Sequence, residues 1–337
     1  LVCAPILGRI SDRVGRRPII MIGLLGSSIG YLIYGFAGSF MLLLLSRLLH
    51  GACAGTVSTA QAYIADTTTE EKRAQGMGLI GAAFGLGFVL GPAIGGLLGH
   101  SSLHAPVFFA SALTLANFIF AWTSLPESHQ PDPDIHLDFR TTVAPIFRLP
   151  RDLLMHRLAS LFSVAFLVTF ALAALEATFA LMAPAVYGYS ATGVGGLLAY
   201  AGLIQAIAQG YLLGKIAGKI GELRLLKIGV VALAIGLLPM GTASSRAALM
   251  MLLALVSIGY GFASPSVSSL ISKRTERRLQ GETLGVNQSA LSLARILGPI
   301  AGGLAYQFIG PAAPYVGGAL IALIALVTTS SIDMAGT

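Results

Sequence analysis

Between Gly78 and Gly96 the chain reads GLIGAAFGLGFVLGPAIGG, with no ionisable side chain and with glycines at Gly78, Gly87, Gly91, Gly95 and Gly96 around Pro92. A run of about twenty apolar residues matches the thickness of a bilayer and is hard to place in a soluble domain. Small residues four apart let a second backbone approach closely in lipid, and Pro92 removes an amide donor whose carbonyl partner must be satisfied by a neighbour. This predicts a packing helix inside a membrane. The same order returns from Gly285 to Gly303, with Ala294 in place of one glycine and then Gly298, Pro299, Gly302 and Gly303. The offset, Gly78 to Gly285, is 285 − 78 = 207 residues, so the chain carries an internal repeat.

Composition extends the membrane reading to the whole chain: 55% of residues are hydrophobic, only 10% are charged, and mean hydropathy is +0.81. Soluble domains are about one quarter charged, which excludes a soluble nucleic-acid binder despite the net charge of +7. About ten spans follow the apolar start LVCAPILGRI, at roughly 18–37, 40–64, 76–99, 104–125, 158–187, 191–214, 225–243, 247–272, 282–307 and 312–332. SDRVGRR, ahead of the first, reads as a short charged loop. Every second loop is basic, and of the cations only Arg246 falls in the loops between. Arg9, Arg13, Arg16 and Arg17 lie in the first, Lys72 and Arg73 in the next, and Arg140, Arg148, Arg151 and Arg157 in the long central one. Lys215, Lys219, Arg224 and Lys227 follow, then Lys273, Arg274, Arg277 and Arg278. By the positive-inside rule these loops face the cytoplasm, in a multi-pass protein of the inner or plasma membrane.

The segment 126–157 is the one long polar stretch, and Pro126, Pro131, Pro133, Pro145 and Pro150 interrupt any helix there. It reads as a cytoplasmic linker between an N-terminal bundle, 1–125, and a C-terminal bundle, 158–337. The spacing of His129, His136 and His156 fits no metal site, so they are taken as solvated linker histidines, and the linker's cations suit an anionic lipid leaflet. Cys3 and Cys53 offer neither a disulfide framework nor metal spacing, and no cofactor motif is present.

Several motifs carry a resemblance. The loop from Gly8 through Asp12, Arg13, Gly15, Arg16 and Arg17 resembles the signature loop between the second and third helices of the major facilitator superfamily, with a weaker echo at Gly214–Gly221. The Gly78, Gly87, Gly91, Pro92, Gly95, Gly96 spacing is similar to the fifth-helix motif of its drug/proton antiporters, and Leu42–Gly51 with Arg47 to their fourth-helix arginine motif. Tyr63–Thr68 running on to Lys72 and Arg73, and Leu125–Ser128, resemble the bacterial tetracycline/proton antiporters. The resemblance implies an all-α integral membrane fold of two pseudo-symmetric six-helix bundles, working by alternating access. The first helix and most of the second would then precede Leu1. It further implies that the Gly8–Arg17 loop latches the bundles on the cytoplasmic side, Asp12 meeting the positive end of a helix that starts near Gly281 while Asp66, Glu70 and Arg73 join by ion pairs. Gly218 stands where the second copy would hold Asp12. The acids that matter in the third and ninth helices of the tetracycline antiporters have no counterpart here, so that specificity is not carried over.

Only Arg47, Glu176 and Arg295 lie well inside the spans, where a charge is unfavourable by about 2.5–3.5 kcal/mol on insertion scales. Such a group is either functional or bonded to a neighbouring helix. Glu176 loses its burial penalty on protonation and is the proton-coupling candidate. Arg47 cannot lose its proton, so it biases a nearby carboxylate, holds an anionic substrate or bonds backbone carbonyls. Arg295 shares a helical stripe with Gln288 and Ser292, and Gln205 and Gln209 sit one turn apart; either set lines a cavity or joins helices. The function expected is secondary active transport, with proton-coupled export of lipophilic small molecules by a monomer ahead of metabolite symport or uniport and of a non-transporting sensor. No nucleophile–base pair, phosphate loop or metal cluster indicates an enzyme.

Overall fold

The computed structural model describes residues 2–99, 102, 104–131 and 158–334, so most of the linker, with His136, His156 and its four arginines, lies outside the described residues. The described residues are helical or turn, with no strand among them. The helices are α1 (Cys3–Val14), α2 (Arg16–Gly35), α3 (Phe40–Cys53), α4 (Thr56–Thr67), α5 (Arg73–Gly99), α6 (Ala105–Ser124), α7 (Ala159–Tyr187), α8 (Ala191–Ile207), α9 (Leu213–Ile220), α10 (Glu222–Leu237), α11 (Arg246–Lys273), α12 (Gln280–Phe308) and α13 (Ala313–Met334). Nine stretches among the described residues are long and apolar enough to cross a membrane. α12 has the length of a span, at 29 residues, but carries Glu282, Asn287, Gln288 and Arg295.

Three details differ from the sequence expectation. The charged loop SDRVGRR is helical on both sides of Gly15, which alone breaks the path at φ +102°. Its counterpart Gly221 does the same at φ +83° between α9 and α10. Glycine suits both positions because a Cβ disfavours positive φ. The span 40–64 is two helices with a turn at Ala54–Gly55, and the span 191–214 runs on to Ile220 through a π-helical turn at Ala208–Leu212. Elsewhere hydroxyl caps set the starts: Ser39 accepts from Leu42 N, Ser190 from Gly193 N and Ser245 from Ala248 N, each relieving an orphan amide.

The chain divides into two compact units. One comprises Leu1–Thr67, Gly91–Leu149 and Thr275–Ser289; the other comprises Thr68–Leu90, Pro150–Arg274 and Ala290–Thr337. In the first, α2 packs on α6 and α3, and α1 on α4. In the second, α10 packs on α11 and α13, and α13 on α7. The largest buried side chains of the second unit, such as Phe179, Met182, Leu226 and Leu233, come from these contacting helices.

Candidate functional site

The first unit gathers the charged residues of α1 and α2 against the start of α12. Gly8 makes this approach possible, since a Cβ there would collide with the Gly281 carbonyl, and one on Gly285 would stand 2.6 Å from the Ala4 carbonyl oxygen. With the backbones this close, Asp12 Oδ1 accepts from Gly281 N and Oδ2 from Glu282 N, both at 2.8 Å. A carboxylate thereby satisfies two of the orphan amides at a helix N-terminus. Burial pushes the Asp12 carboxyl above its ordinary range, against the pull of Arg16 and of the two amides.

Arg16 is the centre of the cluster and is fully buried. Its Nη1 donates to Asp12 Oδ1 and, at 2.7 Å, to Ser11 Oγ, while Nε donates to Asp66 Oδ2 at 3.0 Å. Arg9 lies 3.6 Å from Glu282. Arg17 Nη2 donates to the Trp122 carbonyl at 2.7 Å, and Arg13 is half-buried. Arg73 is buried in the second unit, at the start of α5.

Two members of the cluster were not among the expected site residues. Glu127 caps α2, accepting from Arg16 N at 2.8 Å and Arg17 N at 3.1 Å. Its sequence signal was the Leu125–Ser128 motif. His129, read as a solvated linker residue, instead packs in: Nε2 lies 3.1 Å from the Asp12 carbonyl and Nδ1 4.0 Å from Asp66. Proline-rich composition around it hid that contact.

Arg47 is exposed on α3, its guanidinium 3.9 Å from the Tyr34 ring centroid, and no carboxylate among the described residues is within ion-pair distance. Beside it His50 tilts against Tyr31 at 4.4 Å. Gln288 is half-buried in the same unit.

In the second unit Glu176 and Arg295 are both exposed, Arg295 is the charge that acts on Glu176, and the Arg295 guanidinium lies 6.0 Å from the Phe84 ring centroid. No direct ion pair joins them. Gln205 is half-buried; Gln209 is buried in the π-helical turn with Oε1 unpartnered. A Cβ at Gly78 would stand 2.5 Å from the Gln209 carbonyl oxygen and one at Gly85 2.8 Å from that of Gly202, while one at Gly81 would strike the Gln209 side chain.

For Gly87, Gly91 and Gly95, by contrast, nothing among the described residues stands within 4 Å of a Cβ. Close approach falls to Gly78, Gly81 and Gly85, one face earlier on α5. The side-chain surroundings of Pro92 and Gly96 lie outside the described residues. In the second copy Gly298 and Gly302 do pack, a Cβ at Gly298 falling 2.8 Å from the Phe170 carbonyl oxygen and one at Gly302 3.1 Å from Ala174. Among the described residues no three His, Cys, Asp or Glu side chains group as a metal site.

The family profile described as Major Facilitator Superfamily matches residues 1–299 and 224–332. The chain belongs to the Major Facilitator Superfamily. It is 32% identical over 299 residues to the tetracycline resistance protein, class C, of Escherichia coli, covering 89% of this chain and 75% of that one. Multidrug resistance protein 2 of Bacillus subtilis (strain 168) is 27% identical over 319 residues, covering 91% and 77%. Among solved structures, the human organic anion transporter MFSD10 (TETRAN) superposes with a TM-score of 0.87 at 28% identity, over 97% of this chain and 80% of that one. Membership in this superfamily makes the chain a multi-pass membrane transporter rather than an enzyme, with a small molecule as its substrate, and its relatives include proteins named for tetracycline and multidrug resistance.

Proposed function

We propose that this superfamily member exports lipophilic small molecules across an inner or plasma membrane in exchange for protons, by alternating access of its 1–125 and 158–337 halves. The observation that carries the reading is Glu176, the one acid in the middle of a span, acted on by Arg295. Protonation would relieve a carboxylate in lipid, and Arg295 would favour its release, so the pair can bind and discharge a proton during the cycle. The Asp12–Arg16–Asp66 cluster serves as the cytoplasmic latch, holding the start of α12 in one state and freeing it in the other. The basic loops and the linker face the cytoplasm, where anionic lipid meets their cations, and the protein works as a monomer.

The test is concentrative uptake by inverted proteoliposomes under an imposed pH gradient, using a panel of lipophilic dyes. Collapse of the gradient abolishes accumulation in the wild type, and Glu176→Gln uncouples transport from the gradient while leaving dye binding in place. Accumulation that survives gradient collapse, or coupling that survives in Glu176→Gln, removes the proposal.

A second reading concerns the substrate. Arg47 and Arg295 are exposed cations within spans, and Arg47 is backed by Tyr34. Together with the likeness to a protein titled an organic anion transporter, this favours aromatic anions among the substrates. Competition of dye transport by aromatic carboxylates, lost in Arg47→Gln, is its expected signature.

A further inference from the structure

His129 stands where the segment after α6 crosses the Asp12–Arg16–Asp66 cluster, and neither of its neutral forms suits that place. Ring Nε2 lies 3.1 Å from the Asp12 carbonyl oxygen, and Nδ1 lies 4.0 Å from Asp66 Oδ2. Both neighbours are acceptors. A neutral imidazole carries one N–H, so one tautomer turns the Nδ1 lone pair towards the Asp66 carboxylate and the other turns the Nε2 lone pair towards the Asp12 carbonyl. Only the imidazolium offers a hydrogen to each.

The Asp12 carbonyl needs a donor from elsewhere. The helical path breaks at Gly15, and Arg16 N, the amide that a continued helix would offer to Asp12, donates instead to Glu127 Oε1. A cation at this point also suits the negative end of α1. The ring is held in place through its own backbone, since His129 N donates to the same Glu127 oxygen at 3.2 Å. The charged groups around it are Asp12 from α1, Asp66 from α4, Glu127 from its own segment, and Arg16 from α2, whose Nε also donates to Asp66 Oδ2. At 13% exposure for His129 and 7% for Asp66, the pair is shielded from water while a proton can still reach the ring.

We propose that His129 is a proton sensor on the latch: its protonation clamps the end of α1 to α4, fixes Asp12 against the start of α12 and slows the transport cycle. Imidazole changes its charge between about pH 5 and about pH 8, the range in which cytoplasmic pH varies. The inference rests on the latch and on the proton exchange proposed above. Under that reading each cycle delivers a proton to the cytoplasm, so the protein is slowed by the product of its own exchange. His129 acts here as a positioning residue, through Asp12 and Asp66, and touches no substrate.

Hydrogen exchange of the Gly281 and Glu282 amides, which Asp12 holds, tests it in the wild type and in His129→Gln. Glutamine keeps a donor for the Asp12 carbonyl and does not titrate. The ratio of the two chains cancels the intrinsic pH dependence of exchange and the contribution of Asp12 common to both. Protection in the wild type is expected to rise about tenfold relative to His129→Gln as pH falls from about 8 to about 5, the size of one charge-assisted hydrogen bond. His129→Arg, with two donors at every pH, is expected to stay protected throughout without a step, and so decides the matter even if glutamine disturbs the segment. A ratio indifferent to pH, or a step retained in His129→Arg, overturns the proposal. In proteoliposomes with the pH difference across the membrane held constant, lowering both values is expected to slow dye transport more in the wild type than in His129→Gln, by up to about tenfold. Equal slowing overturns the link between sensor and cycle. Dye accumulation that survives collapse of the gradient refutes the export reading instead, and the exchange ratio then still decides for or against the sensor.

Discussion

Arg16 Nε donates to Asp66 Oδ2 at 3.0 Å with neither side chain reaching solvent appreciably, at 0% and 7% exposure. A buried pair of this kind adds little over a well-packed apolar pair, but removing one partner strands the other charge and is unfavourable by about 3–5 kcal/mol. Asp66→Asn is therefore expected to be the milder change, since an amide oxygen can still accept from Nε and Asp12 still neutralises Arg16. Arg16→Ala leaves two carboxylates facing each other and is expected to lower the thermal midpoint in detergent well below that of Asp66→Asn. The two midpoints, measured side by side, check the order. Equal loss in both would mean that Asp12 does not share the charge.

Protonation should separate the latch from the fold. Burial raises the Asp12 carboxyl, so between its ordinary value and the raised one the folded chain holds a proton that the unfolded chain has lost. The contribution of this group to stability is therefore complete below the ordinary value and declines as pH rises through that window. The carboxylate bonds to Gly281 N and Glu282 N follow the opposite course, because they need the charged form. Amide exchange at Gly281 and Glu282, corrected for its intrinsic pH dependence, is expected to lose protection on acidification through the window. Asp12→Asn should show that loss at every pH and no step. A step retained in Asp12→Asn assigns it to another group.

Glu127→Gln tests the α2 cap. The two amides it receives, Arg16 N and Arg17 N, have no intrahelical acceptor, and loss of such a cap is worth about 0.5–2 kcal/mol. Glutamine keeps one acceptor oxygen, so the expected loss is at the lower end, while Glu127→Ala should reach the upper. Urea or heat denaturation of both variants in the same detergent gives the comparison. Alanine no worse than glutamine would show that water replaces the carboxylate at no loss.

The spans were legible because their signal is compositional: twenty apolar residues need a bilayer, and a helix is what satisfies the backbone there. The encounter of Asp12 with the α12 terminus followed from a resemblance rather than from pattern, since 269 residues separate Asp12 from Gly281 and no periodicity reports such a distance. His129 was misread because composition describes a segment's average, whereas its contact with Asp12 depends on where the chain goes just after the Glu127 cap. The glycine stripe shows the same limit. Spacing reveals which residues could admit a neighbour, and not which of the faces has one.

That limit makes alanine substitutions along α5 and α12 decisive. At Gly81 a Cβ would strike the Gln209 side chain, and at Gly85 it would stand 2.8 Å from the Gly202 carbonyl oxygen; at Gly87, Gly91 and Gly95 it would meet nothing within 4 Å among the described residues. Overpacking of a tight contact is unfavourable by about 1–3 kcal/mol, whereas substitutions in open positions stay within about 0.5 kcal/mol. Alanine also relieves the helix of a glycine, which favours the open positions further. Gly85→Ala is thus expected to lower the thermal midpoint, with Gly87→Ala and Gly91→Ala unchanged or raised. On α12 the pattern predicts loss for Gly298→Ala and none for Gly303→Ala, since a Cβ meets the Phe170 carbonyl oxygen at the first and nothing among the described residues within 4 Å at the second. A loss at Gly91 as large as that at Gly85 would mean that another helix lies against that face in the membrane, and would return the packing role to the glycines the sequence first singled out.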